Sequence, residues 1–329
     1  MSAATRMAVA PVEIPQCPRS NFQNPDTSHL DRCAYLVGNP IAHSKSPALH
    51  HAIYSSMGKQ WGQVLAETED LAGFIHYLRA DVKSMGSGVT MPFKVAVIPY
   101  LDELEAAGQA VGAINTIFYR YGADGQRRFI GTNTDVLGIR DAFLNNTSGT
   151  PWVGQPGLVV GGGGTCRAAV YALRDLLGCN EVYIVNRDKS EVDAVIHEYA
   201  SKRAAQGLVH VSTVEEAKSL KAPSIIVSAV PDFEPKTVNE IVARQILEAF
   251  LRRGSAGNPF LEMCYHPSPD TAISRLASDA QWQVIGGIEA MIGQGLAQAC
   301  LWTGADIDGD LRAQVSSRIK ASQQQRHKL

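Results

Sequence analysis

The stretch Leu158-Val159-Val160-Gly161-Gly162-Gly163-Gly164-Thr165-Cys166-Arg167-Ala168-Ala169 lies near the middle of the chain and decides the fold. Three apolar residues lead into four glycines, and a helix-compatible run follows, which predicts a strand, a tight turn and the start of a helix. Glycines in such a turn let the backbone approach a phosphate, and the free N–H groups of the helix start bind the anion. A glycine cluster alone also fits an ordinary tight turn.

The sequence that follows the glycines favours dinucleotide binding over an ordinary turn. A gap of helical length ends at Gly178, and a second apolar strand is predicted over Glu181-Val182-Tyr183-Ile184-Val185. The polar residues Asn186-Arg187-Asp188 stand at the end of this strand, where a dinucleotide-binding unit binds the adenosine ribose. A strand, a glycine turn, a helix, a second strand and a polar end together predict a Rossmann-type unit.

The first half of the chain predicts a second α/β layer, because short apolar strands alternate there with helical patterns. The fold class is therefore α/β, with an N-terminal substrate-binding domain and a Rossmann-type dinucleotide-binding domain. The predicted segments are an extension over residues 1–32, a substrate-binding catalytic domain over 33–148, a Rossmann domain over 149–287, and a C-terminal helical segment over 288–329 that packs back on the first domain.

Composition excludes several classes of function. The chain has 329 residues, 45% hydrophobic and 19% charged, with a formal net charge of −2, so neither nucleic acid nor a membrane surface is expected as a partner. No apolar run reaches the roughly 18 residues of a membrane-spanning helix. The six cysteines form no Cys-x-x-Cys pair and no signal peptide is evident, which predicts reduced thiols in a cytoplasmic protein. No His/Cys group has zinc-ligand spacing, so no metal is expected.

Polar residues at predicted loop and strand ends of the first half are candidates for the chemistry. Hydroxyl and amide groups suit a polyhydroxylated substrate, and a lysine beside a carboxylate suits proton transfer. Each residue also has a structural interpretation. Ser44 and Ser46 fit helix caps, Asp135 fits the cap of a helix starting at Val136, Asn115 fits a turn, and Lys94 fits a solvated surface position.

Four motifs resemble the ordered signature of the shikimate/quinate dehydrogenase family. They are Pro-Ile-Ala-His-Ser-Lys-Ser-Pro (40–47), Val-Thr-Met-Pro-Phe-Lys (89–94), Gly-Ala-Ile-Asn-Thr (112–116) and Asn-Thr-Asp-Val-Leu-Gly (133–138). The glycine turn, Asn186-Arg187, Tyr265 and Gly286-Gly287…Met291…Gln294 complete the resemblance. It spans about Ala34 to Gly304.

The resemblance implies an active site in the cleft between two domains, with Lys94 and Asp135 as the catalytic pair. It implies a set of residues that bind the substrate: Ser44, Ser46, Thr90, Asn115, Tyr265 and Gln294. It implies a second set on the cofactor side: Gly161, Gly163, Gly164, Thr165, Asn186, Arg187, Asp188, Gly287 and Met291. The chain departs from the family at Gly88, where an Asn is usual, and we expect this change to loosen substrate selectivity.

The residues after the second Rossmann strand predict a preference for NAD, with NADP possible. NADP-dependent members typically have Asn-Arg-Thr followed by a basic residue, whereas this chain has Asp188 and Glu191 at those places. Two carboxylates disfavour a 2′-phosphate, although Arg187 and Lys189 compensate in part, and a carboxylate can accept hydrogen bonds from an unphosphorylated ribose.

Oxidative use of NAD within the family implies oxidation of quinate to 3-dehydroquinate, with shikimate to 3-dehydroshikimate as a related activity. An NADP-dependent shikimate dehydrogenase of aromatic biosynthesis is the alternative. A non-catalytic ligand sensor is the third interpretation, which the intact Lys94 and Asp135 disfavour. A small molecule is the expected partner, and the sequence leaves monomer and homodimer open.

Overall fold

The computed structural model describes residues 20–202, 207–266, 268–307 and 309–326. The described chain divides into two compact units, one up to Thr134 and again from Gly295, the other over Asp135–Gln294. Residues 1–19 of the predicted N-terminal extension lie outside the described residues. The rest of that extension contacts the first unit, since the Phe22 ring packs edge-on against Phe74 at 5.5 Å.

The first unit contains a six-stranded mixed sheet in the order β2-β1-β3-β5-β6-β4. Strand β5 is antiparallel to both of its neighbours, and the other pairings are parallel. The strands are β1 Arg32–Gly38, β2 Trp61–Glu67, β3 Ser84–Val89, β4 Glu103–Leu104, β5 Thr116–Tyr121 and β6 Arg127–Thr132.

Helices cover this sheet because each presents an apolar face to it. The Asp70 side chain caps α2 by accepting a hydrogen bond from Gly73 N at 2.8 Å. Phe74, Ile75 and Leu78 share one face of that helix and are fully buried in the core. The helices are α1 Ser46–Ser56, α2 Leu71–Ala80, α3 Phe93–Ala96 and α4 Ala106–Val111.

The second unit is a parallel sheet in the order β12-β11-β10-β7-β8-β9, which is the doubly wound dinucleotide-binding order. This topology confirms the predicted Rossmann-type domain. Its strands are β7 Pro156–Val160, β8 Glu181–Val185, β9 Leu208–His210, β10 Ile225–Ser228, β11 Pro259–Glu262 and β12 Gln283–Gly286. Its helices are α5 Asp135–Asn146, α6 Gly164–Tyr171, α7 Lys189–Lys202, α8 Val214–Ser219, α9 Val238–Leu251 and α10 Ala272–Asp279.

Two further helices complete the described chain: α11 Gly287–Thr303 and α12 Gly309–Arg326. The boundary between the units falls inside α11, between Gln294 and Gly295, and another falls between Thr134 and Asp135. Helix α5 packs against α11 so closely that a Cβ on Gly138 would lie 2.3 Å from the carbonyl oxygen of Ala290. None of the described helices is long and apolar enough to cross a membrane.

The last turns of α11 are fixed on the first unit by buried polar contacts. Trp302 Nε1 donates to the carbonyl of Ile117 at 2.9 Å, and Gln298 Oε1 lies 3.1 Å from His50 Nε2. The His50 ring also lies 4.9 Å from the Trp302 ring. Burial lowers the pKa of His50 to about 4, so the imidazole is neutral at pH 7 and Nε2 donates to the Gln298 oxygen.

We expect His50 to make the first unit labile to acid. The pKa of His50 is lower in the folded chain than in the unfolded chain, so its contribution is complete above about pH 6.5 and is lost as the pH falls towards 4. Between pH 7 and pH 5 the free energy of unfolding should fall by about 2 kcal/mol through this group.

The measurement is urea unfolding at both pH values for the parent chain, His50→Gln and the matched control His51→Gln, whose side chain is exposed. His50→Gln should lose about 2 kcal/mol less between the two pH values than the parent, and His51→Gln should behave like the parent. An unchanged loss in His50→Gln would contradict the assignment.

Candidate active site

One edge of the first sheet collects the polar residues predicted for the substrate. Strands β1, β3 and β6 end at this edge and β5 begins there, because Val37 lies opposite Val89, and Thr116 lies opposite both Gly88 and Thr132. The predicted residues of this unit follow or precede those strand ends: Ser44 and Ser46 after β1, Thr90 and Lys94 after β3, and Asn115 before β5.

The loop after β1 leads into helix α1. This helix begins one residue earlier than predicted, because Ser46 was expected to cap it from outside. Ser46 is the first residue of α1, and Lys45 occupies the N-cap position without a side-chain cap. The cap predicted for Ser46 is therefore wrong. Ser44 Oγ instead accepts a hydrogen bond from Ser46 N at 3.3 Å, because the loop doubles back through the bond from Ser44 N to the carbonyl of Ile41.

The loop after β3 places Lys94 on a short helix held at both ends. Thr90 N donates to the carbonyl of Val37, and Phe93 N donates to the carbonyl of Thr90, both at 2.9 Å. The carbonyl of Lys94 accepts from Ile114 N at 2.7 Å, which ties this helix to the residue before Asn115. Lys94 is half-buried rather than fully solvated, since the adjacent Phe93 is anchored in the core.

Asn115 is the centre of a buried network that joins the strand ends. Its Oδ1 accepts from the Thr134 backbone N–H and the Thr116 hydroxyl, both at 2.7 Å, and its Nδ2 donates to Thr134 Oγ1 at 3.0 Å. The Asn115 carbonyl accepts from Val89 N at 2.7 Å. The Asn115 amide therefore fixes Thr134, the residue directly before Asp135. This structural role does not depend on any contact between Asn115 and a substrate.

Gln298 forms a further layer of this network that the sequence motifs did not reveal. Its Nε2 donates to Thr116 Oγ1 at 3.0 Å and to the Asn115 carbonyl at 3.3 Å, while its Oε1 accepts from His50. A Cβ on Gly88 would lie 3.5 Å from Gln298 Nε2. The residue that departs from the family thus stands beside this amide.

Asp135 begins helix α5 in the second unit, where Tyr265 and Gln294 also lie. It occupies the first turn, so the predicted capping alternative with a helix start at Val136 is wrong by one residue. Burial and the nearby charge of Asp135 raise the pKa of Tyr265. Gln294 packs against α5 at Gly138, since a Cβ added to Gly138 would lie 3.0 Å from the Cβ of Gln294. The Nε2 of Gln294 donates to the carbonyl of Met291 at 3.1 Å.

Tyr265 lies in a loop rather than in a strand. Strand β11 ends at Glu262 because its neighbour β12 ends opposite it at Gly286. The buried Glu262 carboxylate then holds the loop by accepting from Cys264 N at 3.0 Å and from Thr271 Oγ1 at 3.1 Å. Burial raises the pKa of Glu262 to about 7.

The predicted glycine turn has the geometry of a phosphate-binding turn. Gly161 has a φ of +134°, and its N–H donates to the carbonyl of Val185 at 2.8 Å. A Cβ on Gly163 would meet nothing within 4 Å, so its backbone is open to a ligand. Helix α6 begins at Gly164, with Thr165 in its first turn, and supplies free N–H groups and a partial positive charge.

Gly162 is needed for a different reason. A Cβ there would lie 2.4 Å from Asn186 Nδ2 and 2.4 Å from Glu191 Oε2. Asn186 Nδ2 donates to Glu191 Oε2 at 2.6 Å, so the absent side chain makes room for this pair. Gly287 is similarly enclosed, since a Cβ would lie 2.4 Å from the carbonyl oxygen of Met263.

Both cations that were expected from the sequence to offset the charge of a 2′-phosphate form ion pairs with carboxylates. Arg187 Nη1 donates to Glu240 Oε1 at 2.5 Å, and Lys189 Nζ lies 2.6 Å from Asp193 Oδ2. Asp188 is bound at the start of α7, where its Oδ1 accepts from Ser190 N at 2.8 Å. Its carboxylate adds a negative charge directly after Arg187.

A cavity of about 250 Å³ in the second unit joins these features. It is lined by the glycine turn, by the residues after β8 and by the start of α9, including Gly162, Gly163, Asn186, Arg187, Phe233 and Glu240. A cavity with an open backbone at Gly163 and a helix N-terminus fits the phosphates and ribose of a dinucleotide. Among the described residues, no group of three or more His, Cys, Asp or Glu side chains could hold a metal ion.

A chain that combines a mixed α/β unit with a Rossmann-type unit carrying this turn belongs to the class of dinucleotide-dependent oxidoreductases. Residues 36–117 match the model of the shikimate dehydrogenase substrate binding domain. The quinate dehydrogenase of Emericella nidulans is 43% identical over 293 residues, which cover 84% of this chain and 89% of that protein. The chain belongs to the shikimate/quinate dehydrogenase family.

Two solved structures show the same architecture. Shikimate 5-dehydrogenase from Thermus thermophilus, in complex with NADP(H) and shikimate, is 28% identical with a TM-score of 0.68, covering 87% of this chain and 99% of that one. Quinate dehydrogenase from Corynebacterium glutamicum, in complex with NAD, is 22% identical with a TM-score of 0.71 at the same coverage of 87% and 99%. At this identity the second likeness concerns the fold alone.

The two central glycines should respond differently to alanine. Gly162→Ala must displace Asn186 or Glu191, so the midpoint of thermal unfolding should fall. Gly163→Ala has space and an ordinary φ of −81°, so its free energy of unfolding should stay within about 0.5 kcal/mol of the parent value. The affinity for NAD should fall because the added methyl group covers the backbone.

The measurement is thermal unfolding without nucleotide, together with NAD binding by calorimetry, for both variants. Equal loss of stability in the two variants would contradict the distinction, and so would full NAD affinity in Gly163→Ala.

Proposed function

We propose that the chain is an NAD-dependent dehydrogenase that oxidises quinate to 3-dehydroquinate and accepts shikimate as a related substrate. The observation that carries this proposal is the 43% identity to a quinate dehydrogenase, which extends over both units. The charged residues after β8 support NAD as the cofactor. The polar residues at one edge of the first sheet support a binding site for the substrate.

The first unit would bind the polyhydroxylated ring. Ser44 and Thr90 supply hydroxyl groups in loops that hydrogen bonds fix to the sheet edge, and Ser46 supplies one at the first residue of α1. Asn115 contributes its amide only as far as its bonds to Thr116 and Thr134 permit. Hydroxyl and amide groups can both donate and accept, which suits a ligand with several ring hydroxyls and a carboxylate.

Proton removal falls to Lys94 and Asp135, with Tyr265 and Gln294 as polar partners from the second unit. Bound NAD would accept the hydride from the ring carbon that carries the reacting hydroxyl. Lys94 is half-buried on a helix tied to the residue before Asn115, so its amine is presented by a rigid element. Lys94 and Asp135 would share one proton as a coupled pair, and the proposal assigns the base to the pair.

The second unit would favour NAD over NADP. Asp188 and Glu191 place two carboxylates after β8, and Lys189 is paired with Asp193. A 2′-phosphate with nearly two negative charges would meet these carboxylates without an uncommitted lysine to offset them. A ribose hydroxyl in the same place can donate to a carboxylate.

The test is a spectrophotometric assay that offers quinate and shikimate with NAD and with NADP. We expect the highest kcat/KM for quinate with NAD, because the charges after β8 disfavour the phosphorylated cofactor. A clear preference for NADP with shikimate would support the alternative function in aromatic biosynthesis. Binding without turnover of either substrate would support a ligand sensor, and both outcomes would contradict the proposal.

A further inference from the structure

Glu240 has more partners than a helix cap requires. It is the third residue of α9, and its carboxylate accepts from Lys236 N at 3.0 Å and from Thr237 N at 2.9 Å. Thr237 Oγ1 accepts from Glu240 N in return, which completes a capping box. The same carboxylate also accepts from Arg187 Nη1 on its other oxygen.

The ion pair joins a largely buried carboxylate to an exposed guanidinium. The Glu240 side chain is only 12% exposed, whereas that of Arg187 is 53% exposed. The Arg187 guanidinium also lies 5.6 Å from the centre of the Phe233 ring, which adds a cation–π contact. Because two backbone N–H groups fix the carboxylate, Glu240 determines where the guanidinium rests.

The chain contains a second capping box that lacks this ion pair. In α8, Thr213 and Glu216 form the same reciprocal hydrogen bonds, and Glu216 accepts from Ser212 N and Thr213 N. The cap at α8 is therefore built without an arginine on the carboxylate. The pairing with Arg187 at α9 is a separate property of Glu240.

This pairing balances the charge of the nucleotide cavity. Four of its lining residues carry charge at pH 7, namely Arg187, Arg244, Glu191 and Glu240. Two positive and two negative side chains leave no net side-chain charge to attract a further phosphate. Arg187 is also the cation directly after Asn186, at the end of β8 where the ribose is expected.

We propose that Glu240 selects the cofactor by occupying Arg187, so that a 2′-phosphate on the adenosine ribose finds its nearest cation already neutralised. This inference rests on the proposed dinucleotide site. A phosphate at that place must either displace the Glu240 carboxylate from Arg187 or remain close to both carboxylates, and each costs affinity. An unphosphorylated ribose leaves the ion pair intact.

The substitution E240Q tests the proposal, because glutamine serves equally at this position of a capping box. Calorimetry with adenosine 5′-monophosphate and adenosine 2′,5′-bisphosphate measures the discrimination without any catalytic step. We expect the affinity for the bisphosphate relative to the monophosphate to rise about tenfold in E240Q. E216Q, the matched control in α8, should keep the ratio of the parent chain.

Thermal unfolding of E240Q and E216Q monitors the caps. Equal midpoints with a raised ratio in E240Q alone support the proposal. An unchanged ratio in E240Q would overturn it and would reduce Glu240 to a cap. The double variant R187Q/E240Q tests whether Glu240 acts through Arg187. The gain in relative affinity for the bisphosphate should disappear when Arg187 is absent, and a gain that persists would overturn the role of Arg187.

The nucleotide fragments separate this proposal from the proposed function. A chain that binds the monophosphate and discriminates through Glu240, but does not oxidise quinate, would contradict only the function. A parent chain that binds neither nucleotide would overturn the cofactor site and the role of Glu240 together.

Discussion

The buried side chain of Asn115 is the constraint on which the arrangement of the strand ends in the first unit depends. Its amide binds Thr134 and Thr116, and its backbone binds β3 through Val89 and β6 through Thr132. Each buried hydrogen bond that is broken leaves a polar group unpaired at a cost of about 1–3 kcal/mol. The strand ends are therefore fixed together, and the loops that carry the catalytic candidates start from a rigid frame.

The second unit depends on a comparable constraint at Gly162. The absence of a side chain there admits the Asn186–Glu191 pair, so the phosphate-binding turn and the charged cluster after β8 need each other. In the proposed function the glycine turn accepts any dinucleotide, and the carboxylates with the paired Arg187 are proposed to distinguish NAD from NADP. The glycine turn, Glu191 and Arg187 line neighbouring parts of one cavity, so the proposed binding and the proposed selection of the cofactor would take place side by side.

Local sequence patterns predicted the elements well where the periodicity was strong. Strand β8 was predicted over Glu181–Val185 and occupies those residues, because its apolar run is buried in the sheet. The capping role of Ser46 failed because the loop before it doubles back and the helix begins at Ser46 itself.

The site residues show the same limit: those with partners close in the sequence were predicted, and those with distant partners were missed. Motifs located the glycine turn and the loops at the sheet edge, where neighbouring residues share one local structure. Gln298, His50 and Glu240 were missed because their partners are distant in the sequence: Gln298 meets His50 across 248 positions, and Glu240 meets Arg187 across 53. Such contacts depend on how the elements pack, which no short motif records.

We propose that catalysis depends on Lys94 of the first unit, whereas cofactor binding is a separate property of the second unit. The most direct test compares Lys94→Ala with Lys59→Ala, an exposed lysine of the same unit, in quinate oxidation with NAD. Lys94→Ala should lower kcat by about 10²–10⁴-fold with the NAD dissociation constant and the unfolding midpoint unchanged, and Lys59→Ala should match the parent chain. Near-normal turnover in Lys94→Ala would contradict the account.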